Sequence, residues 1–120
     1  MESYFTITKP QEEFMNRYLP NEQVSMRLAD YFAIFADTTR VRILSALAIS
    51  GMCVGDLCCL LKINQTTLSH QLKILRDANI VGYRREGKLV IYNIINQFVE
   101  DVMIIGVDNL QKQECQKKQA

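Results

Sequence analysis

Between residues 64 and 88 the chain sets short hydrogen-bonding side chains beside a small group of cations, a combination that suits a polyanion. Thr66, Thr67, Ser69, His70, Gln71 and Lys73 fall outside the inward stripe formed by Leu68, Leu72, Leu75 and Ala78 at helical spacing, and Gln65 stands just ahead of them. Small hydroxyl and amide groups near the start of a helix can meet base edges in a major groove, which a row of Lys and Glu would do less well. Arg84, Arg85 and Lys88 gather at a hairpin tip, where they carry charge for phosphates but no fixed geometry for bases. Residues 62–88 hold six Lys/Arg against two Asp/Glu, a local +4, and the remainder holds eight against eleven, or −3. The formal net charge of +1 therefore conceals a polarised molecule and does not argue against nucleic acid.

The elements that must hold these groups are legible as a helix, a turn, a second helix and a hairpin. Val54, Leu57, Leu60 and Leu61 share one face of a short helix over Val54–Leu61, residues 62–65 break it, and a second helix runs over 66–78. The wing spans 80–94, with Glu86-Gly87 as its two-residue turn and Val81, Tyr83, Leu89, Ile91 and Ile94 lining a core face. Ahead of this module lie a short amphipathic stretch over 11–19, a stronger helix over 24–35 with Leu28, Tyr31, Phe32 and Phe35 on one side, and Asp37 as N-cap of Thr38–Ile49. After the wing, Asn96 caps a last helix over 96–113, leaving 114–120 as a polar tail. The predicted fold is mostly α with a small β-hairpin, a winged helix-turn-helix of order α-α-α-α-α-β-β-α.

With 120 residues and 48% apolar composition the chain reads as one domain, 1–120, with residues 1–22 as an N-terminal arm. Early acids at Glu2, Glu12 and Glu13 and the lack of a continuous apolar run predict neither a signal peptide nor a membrane partner, so the expected compartment is the cytoplasm. There the four cysteines are expected to be reduced thiols rather than a disulfide framework. One histidine, no nucleotide-binding glycine loop and no clustered acid pair leave no catalytic set, so no enzyme and no required cofactor is predicted. The last helix is apolar over more than one face. Phe98, Val102 and Ile105 exceed what one small core can cover and point to a homodimer interface, the alternative being an ordinary core helix of a monomer.

"ADTTRVRILSAL" (36–47), "CVGDLC" (53–58), "NQTTLSHQLKILRDANIV" (64–81) and "RREGKLVIYNI" (84–94) together resemble the ArsR/SmtB family of winged-helix repressors. The resemblance implies a homodimer, paired through its first and last helices, that binds double-stranded DNA at an inverted-repeat operator and releases it when a metal, metalloid or other signal arrives.

The same resemblance directs attention to Cys53, Cys58 and Cys59. The arsenic-responsive branch carries Cys-Val-Cys-Asp-Leu-Cys at this place; Cys53 and Cys58 match its outer cysteines, and Gly55 stands where the middle one would be. As(III), Sb(III) and other soft ions favour two to four thiolates, so the set is completed only if Cys59 or Cys115 contributes. Adjacent Cys58 and Cys59 point about 100° apart on a helix, so using both requires local unwinding. The alternatives are that Cys58 or Cys59 is a small buried hydrophobe, or that the thiols sense oxidants or reactive sulfur species. The positions corresponding to the zinc- and cobalt-responsive branch, Asn96, Phe98, Asn109 and Lys112, offer no good zinc ligand.

Overall fold

The computed structural model describes residues 4–119. In chain order the elements are α1 (Lys9–Tyr18), α2 (Glu22–Phe35), α3 (Thr38–Ile49), α4 (Val54–Leu61), α5 (Gln65–Asp77), β1 (Val81–Glu86), β2 (Leu89–Ile94) and α6 (Gln97–Gln119). The expected order of elements is thus observed. The chain divides into two compact units, residues 1–33 and 34–120. Neither α1 nor α2 has a buried residue.

In the first unit, α1 begins two residues earlier than its apolar pattern suggests. Thr8 and Gln11 form a reciprocal capping box, with Thr8 N–H to Gln11 Oε1 at 2.8 Å and Gln11 N–H to Thr8 Oγ1 at 3.3 Å, and Pro10 is tolerated in a first turn whose N–H groups lack helical partners. Phe14 and Tyr18, one turn apart, pack ring to ring at 5.0 Å and are both exposed, as are Met15 and Leu19.

The second unit is organised by capping signals and one apolar core. Asp37 and Asn64 accept from the backbone N–H three residues on, at 2.9 and 2.8 Å, and so fix the starts of α3 and α5. Asn96 does the same for α6 at 3.0 Å. Helix α5 ends in a Schellman turn: Asn79 takes a left-handed φ of 59°, its N–H donates to Arg76 O, and Ile80 N–H donates to Leu75 O. Leu75 and Ile80 are consequently both buried. Ile43, Leu44 and Leu47 of α3, Leu57, Leu68, Leu72, Val99 and Met103 complete the centre, and each fully buried large aliphatic contributes roughly 1.5–3 kcal/mol relative to exposure.

Several expected inward positions lie outside this core. Ala78 is exposed because the turn after α5 carries Ile80 inward instead. Leu60 is 58% exposed; Leu57 is the one fully buried residue of α4, and Leu60 lies about 60° round from it. The hairpin register pairs Glu86 with Leu89 and leaves Gly87-Lys88 as the loop, one residue later than Glu86-Gly87. Gly87 has φ +61°, the positive value that the first position of a type II′ loop requires. The register also splits the expected core face. Val81, Tyr83 and Arg85 share a face with Val90, Tyr92 and Ile94, whereas Leu89 and Ile91 lie opposite. Val81 and Ile91 are buried on their separate faces, while Tyr83 and Leu89 are exposed. Finally, α6 continues through the expected tail to Gln119.

Candidate DNA-binding face and thiol cluster

Helices α4 and α5 are held at a fixed turn. Lys62 adopts a left-handed φ of 55°, Cys58 O accepts from the N–H groups of Lys62 and Ile63, and Arg42 Nη2 of α3 donates to Leu61 O. On α5, Gln65, Thr66, Thr67, Ser69, His70 and Lys73 are all exposed, as their assignment to a reading face requires. Gln71 does not stand with them. It lies three residues after Leu68 and four before Leu75, both fully buried, so its side chain is half-buried and its Oε1 is sheltered without a hydrogen-bond partner among the described residues.

The wing cations are exposed but not equivalent. Arg84 Nε donates to Glu86 Oε1 at 2.8 Å, an ion pair on the outer part of β1. Arg85 and Lys88 form no ion pair among the described residues, and Arg85 lies on the opposite face from Arg84, with Tyr83 and Tyr92. The rings of Tyr83 and Tyr92, directly paired across the strands, pack at 5.9 Å. A cleft of about 210 Å³ lies between α5 and the wing, lined by Ser69, Leu72, Lys73, Arg76 and Tyr92. Arg76 and Tyr92 were not singled out from the sequence, although Ser69, Lys73 and Arg76 recur at i, i+4 and i+7, the spacing of one helical stripe.

Cys53 is the N-cap of α4, with no side-chain cap hydrogen bond; its Sγ instead donates to Asp56 Oδ2 at 3.2 Å. Cys58 is half-buried, and Cys59 and Cys115 are exposed; all four are free thiols. The structure does not bring Cys53, Cys58 and Cys59 together: among the described residues no three His, Cys, Asp or Glu side chains are grouped to hold a metal ion. The helical angle between Cys58 and Cys59 accounts for the divergence. What precedes Cys53 is firmly placed. Met52 forms an antiparallel bridge with Tyr92 of β2, and a Cβ on Gly51 would come within 3.1 Å of Ile91 Cγ2 and 3.2 Å of Tyr92 O.

Along α6, Val99 and Met103 turn inward and are buried, Val102 is half-buried, and Phe98, Ile104 and Ile105 are exposed, Ile105 to 69%. No helix among the described residues is long and apolar enough to cross a membrane.

A helix-turn-helix whose second helix presents polar side chains beside a cationic hairpin defines a winged helix-turn-helix of the DNA-binding regulator class. The family model for bacterial regulatory proteins of the arsR family matches residues 37–83. The chain is 37% identical over 90 residues to a transcriptional repressor SmtB homolog of Synechocystis, covering 75% of this chain and 68% of that one. It is 33% identical over 100 residues to a cadmium resistance transcriptional regulatory protein CadC homolog of Staphylococcus aureus, covering 81% and 83%. The crystal structure of the AntR antimony-specific transcriptional repressor superposes with a TM-score of 0.73 at 30% identity, covering 80% of this chain and 87% of that one. The chain belongs to the arsR family of transcriptional repressors.

Proposed function

We propose that the chain acts as a homodimeric repressor that holds an inverted-repeat operator and releases it when a thiophilic metal or metalloid of the arsenite/antimonite class is bound by Cys53, Cys58 and Cys59. The observation that carries the sensing part is the position of Cys53. It caps the helix that supports α5, and it directly follows Met52, which is bonded to the wing strand. For Cys53 to enter one ligand set with Cys58 and Cys59, the first turns of α4 must unwind, and that distortion reaches both the α4–α5 turn and the wing. The relatives named for cadmium resistance and antimony specificity support a soft inducer, for which thiolates are the fitting donors. Thr67, Ser69 and His70 read base edges, Gln65, Thr66 and Lys73 flank them, and the exposed apolar residues of α6 meet a second copy.

A switch of tenfold to hundredfold in DNA affinity corresponds to about 1.4–2.8 kcal/mol of coupling. Reduced protein on a fluorescent operator duplex is titrated with arsenite and, separately, with peroxide. Cys53→Ser and Cys58→Ser are expected to bind DNA as the parent does but to lose release by arsenite, whereas Cys115→Ser behaves like the parent. Normal release from both inner variants would make these cysteines packing residues, and release by peroxide alone would make the chain a redox regulator.

A further inference from the structure

We infer that the cleft between α5 and the wing is a seat for one phosphodiester of the DNA backbone, formed by Lys73, Arg76 and Tyr92. The inference rests on the DNA-binding reading and adds two residues, Arg76 and Tyr92, to it. Lys73 and Arg76 form no ion pair among the described residues, and no acidic side chain lines the cleft. Two uncompensated cations three residues apart on one helix repel each other modestly, an arrangement that an anion between them relieves. Buried Leu72 and exposed Ser69 complete the lining, and Tyr92 adds a hydroxyl donor beside the cations.

Tyr92 is also held in advance. Its backbone N–H and C=O are both engaged by Met52, and its ring packs on Tyr83, so little freedom remains to be lost on binding. The volume of about 210 Å³ exceeds that of one phosphate group and leaves room for water. The placement suits a backbone strand: when α5 lies in the major groove and the wing beside it, the phosphates bordering that groove pass between the two.

The test uses the full chain, with Arg76→Gln, Lys73→Gln and Tyr92→Phe, on an operator duplex and on a random duplex over a range of salt. Arg76→Gln is expected to lower the slope of log affinity against log salt by about 0.9, equally on both duplexes, and the double Lys73→Gln/Arg76→Gln variant by about twice that. Tyr92→Phe keeps the ring contact and is expected to weaken both complexes several-fold with no change in slope. A parental slope in Arg76→Gln, with the parent still binding its operator, overturns the phosphate seat alone; a parent that binds no duplex overturns the DNA-binding reading itself. Inorganic phosphate is titrated at constant ionic strength against the amide NMR signals of Ser69 and Arg76. Only weak, unsaturated shifts are expected, and tight saturable binding together with a parental DNA slope would assign the cleft to a free anion instead.

Discussion

Met52 and Tyr92 exchange two backbone hydrogen bonds, 3.1 Å from Met52 N–H to Tyr92 O and 2.8 Å in the reverse direction. The residue before the candidate sensor cysteine is thereby stitched to the wing strand whose ring lines the cleft beside α5. Displacement at Cys53 and displacement of the wing are therefore not independent motions.

Gly51 permits that stitch, because a side chain there would press on Ile91 and on the carbonyl of Tyr92. Gly51→Ala is expected to destabilise the fold by about 1–3 kcal/mol through overpacking, read as a lower urea midpoint at unchanged m-value. A midpoint equal to the parent's would mean that the loop and wing separate freely.

Gln71 is expected to be a stability liability, not a base reader. A sheltered acceptor without a partner costs about 1–3 kcal/mol, so Gln71→Met, close in volume, should raise the unfolding free energy by about 1 kcal/mol. Its preference for operator over random duplex should stay at the parental value, and a loss of that preference in a binding assay would return Gln71 to the reading face.

The wing cations are expected to divide by their partners. Arg85→Ala and Lys88→Ala should each reduce the salt slope by about 0.9. Arg84→Ala should change it less, because Arg84 is already paired with Glu86. Anisotropy titrations over a range of salt measure all three, and equal slopes would show that the Arg84–Glu86 pair opens on DNA.

Ile105→Asp is expected to give monomers in sedimentation and to abolish tight operator binding, since two half-sites must be held about one helical turn apart. A variant that remains dimeric would move the interface off this face of α6.

The parts of the fold that were legible in the sequence are those fixed locally. Asp37 and Asn96 are short-range capping signals, and α3 and α4 run over the residues their patterns predict. The exposure of the polar residues of α5 followed from the stripe of Leu68, Leu72 and Leu75. What the sequence hid depends on distant partners or on register. Gln71 stands at the edge of the Leu68–Leu75 stripe, and how far neighbouring elements shelter it is not set by that spacing alone; the hairpin loop slid by one residue because Gly87 can serve either two-residue turn. Helix α6 outran its apolar pattern because Gln, Lys and Glu are good helix formers and no Gly or Pro follows Gly106. The cysteine spacing resembled a ligand set, yet helical geometry keeps its members apart.

The Arg84–Glu86 pair bears on how such a regulator finds its target. A genome offers a vast excess of unrelated duplex, and every uncompensated cation on the wing strengthens attachment to all of it alike. On the proposed binding mode, an acid at the wing's own tip would trim this indiscriminate grip while leaving the recognition helix untouched. Fewer copies would then be stranded on unrelated duplex, and less protein would be needed to keep one operator occupied.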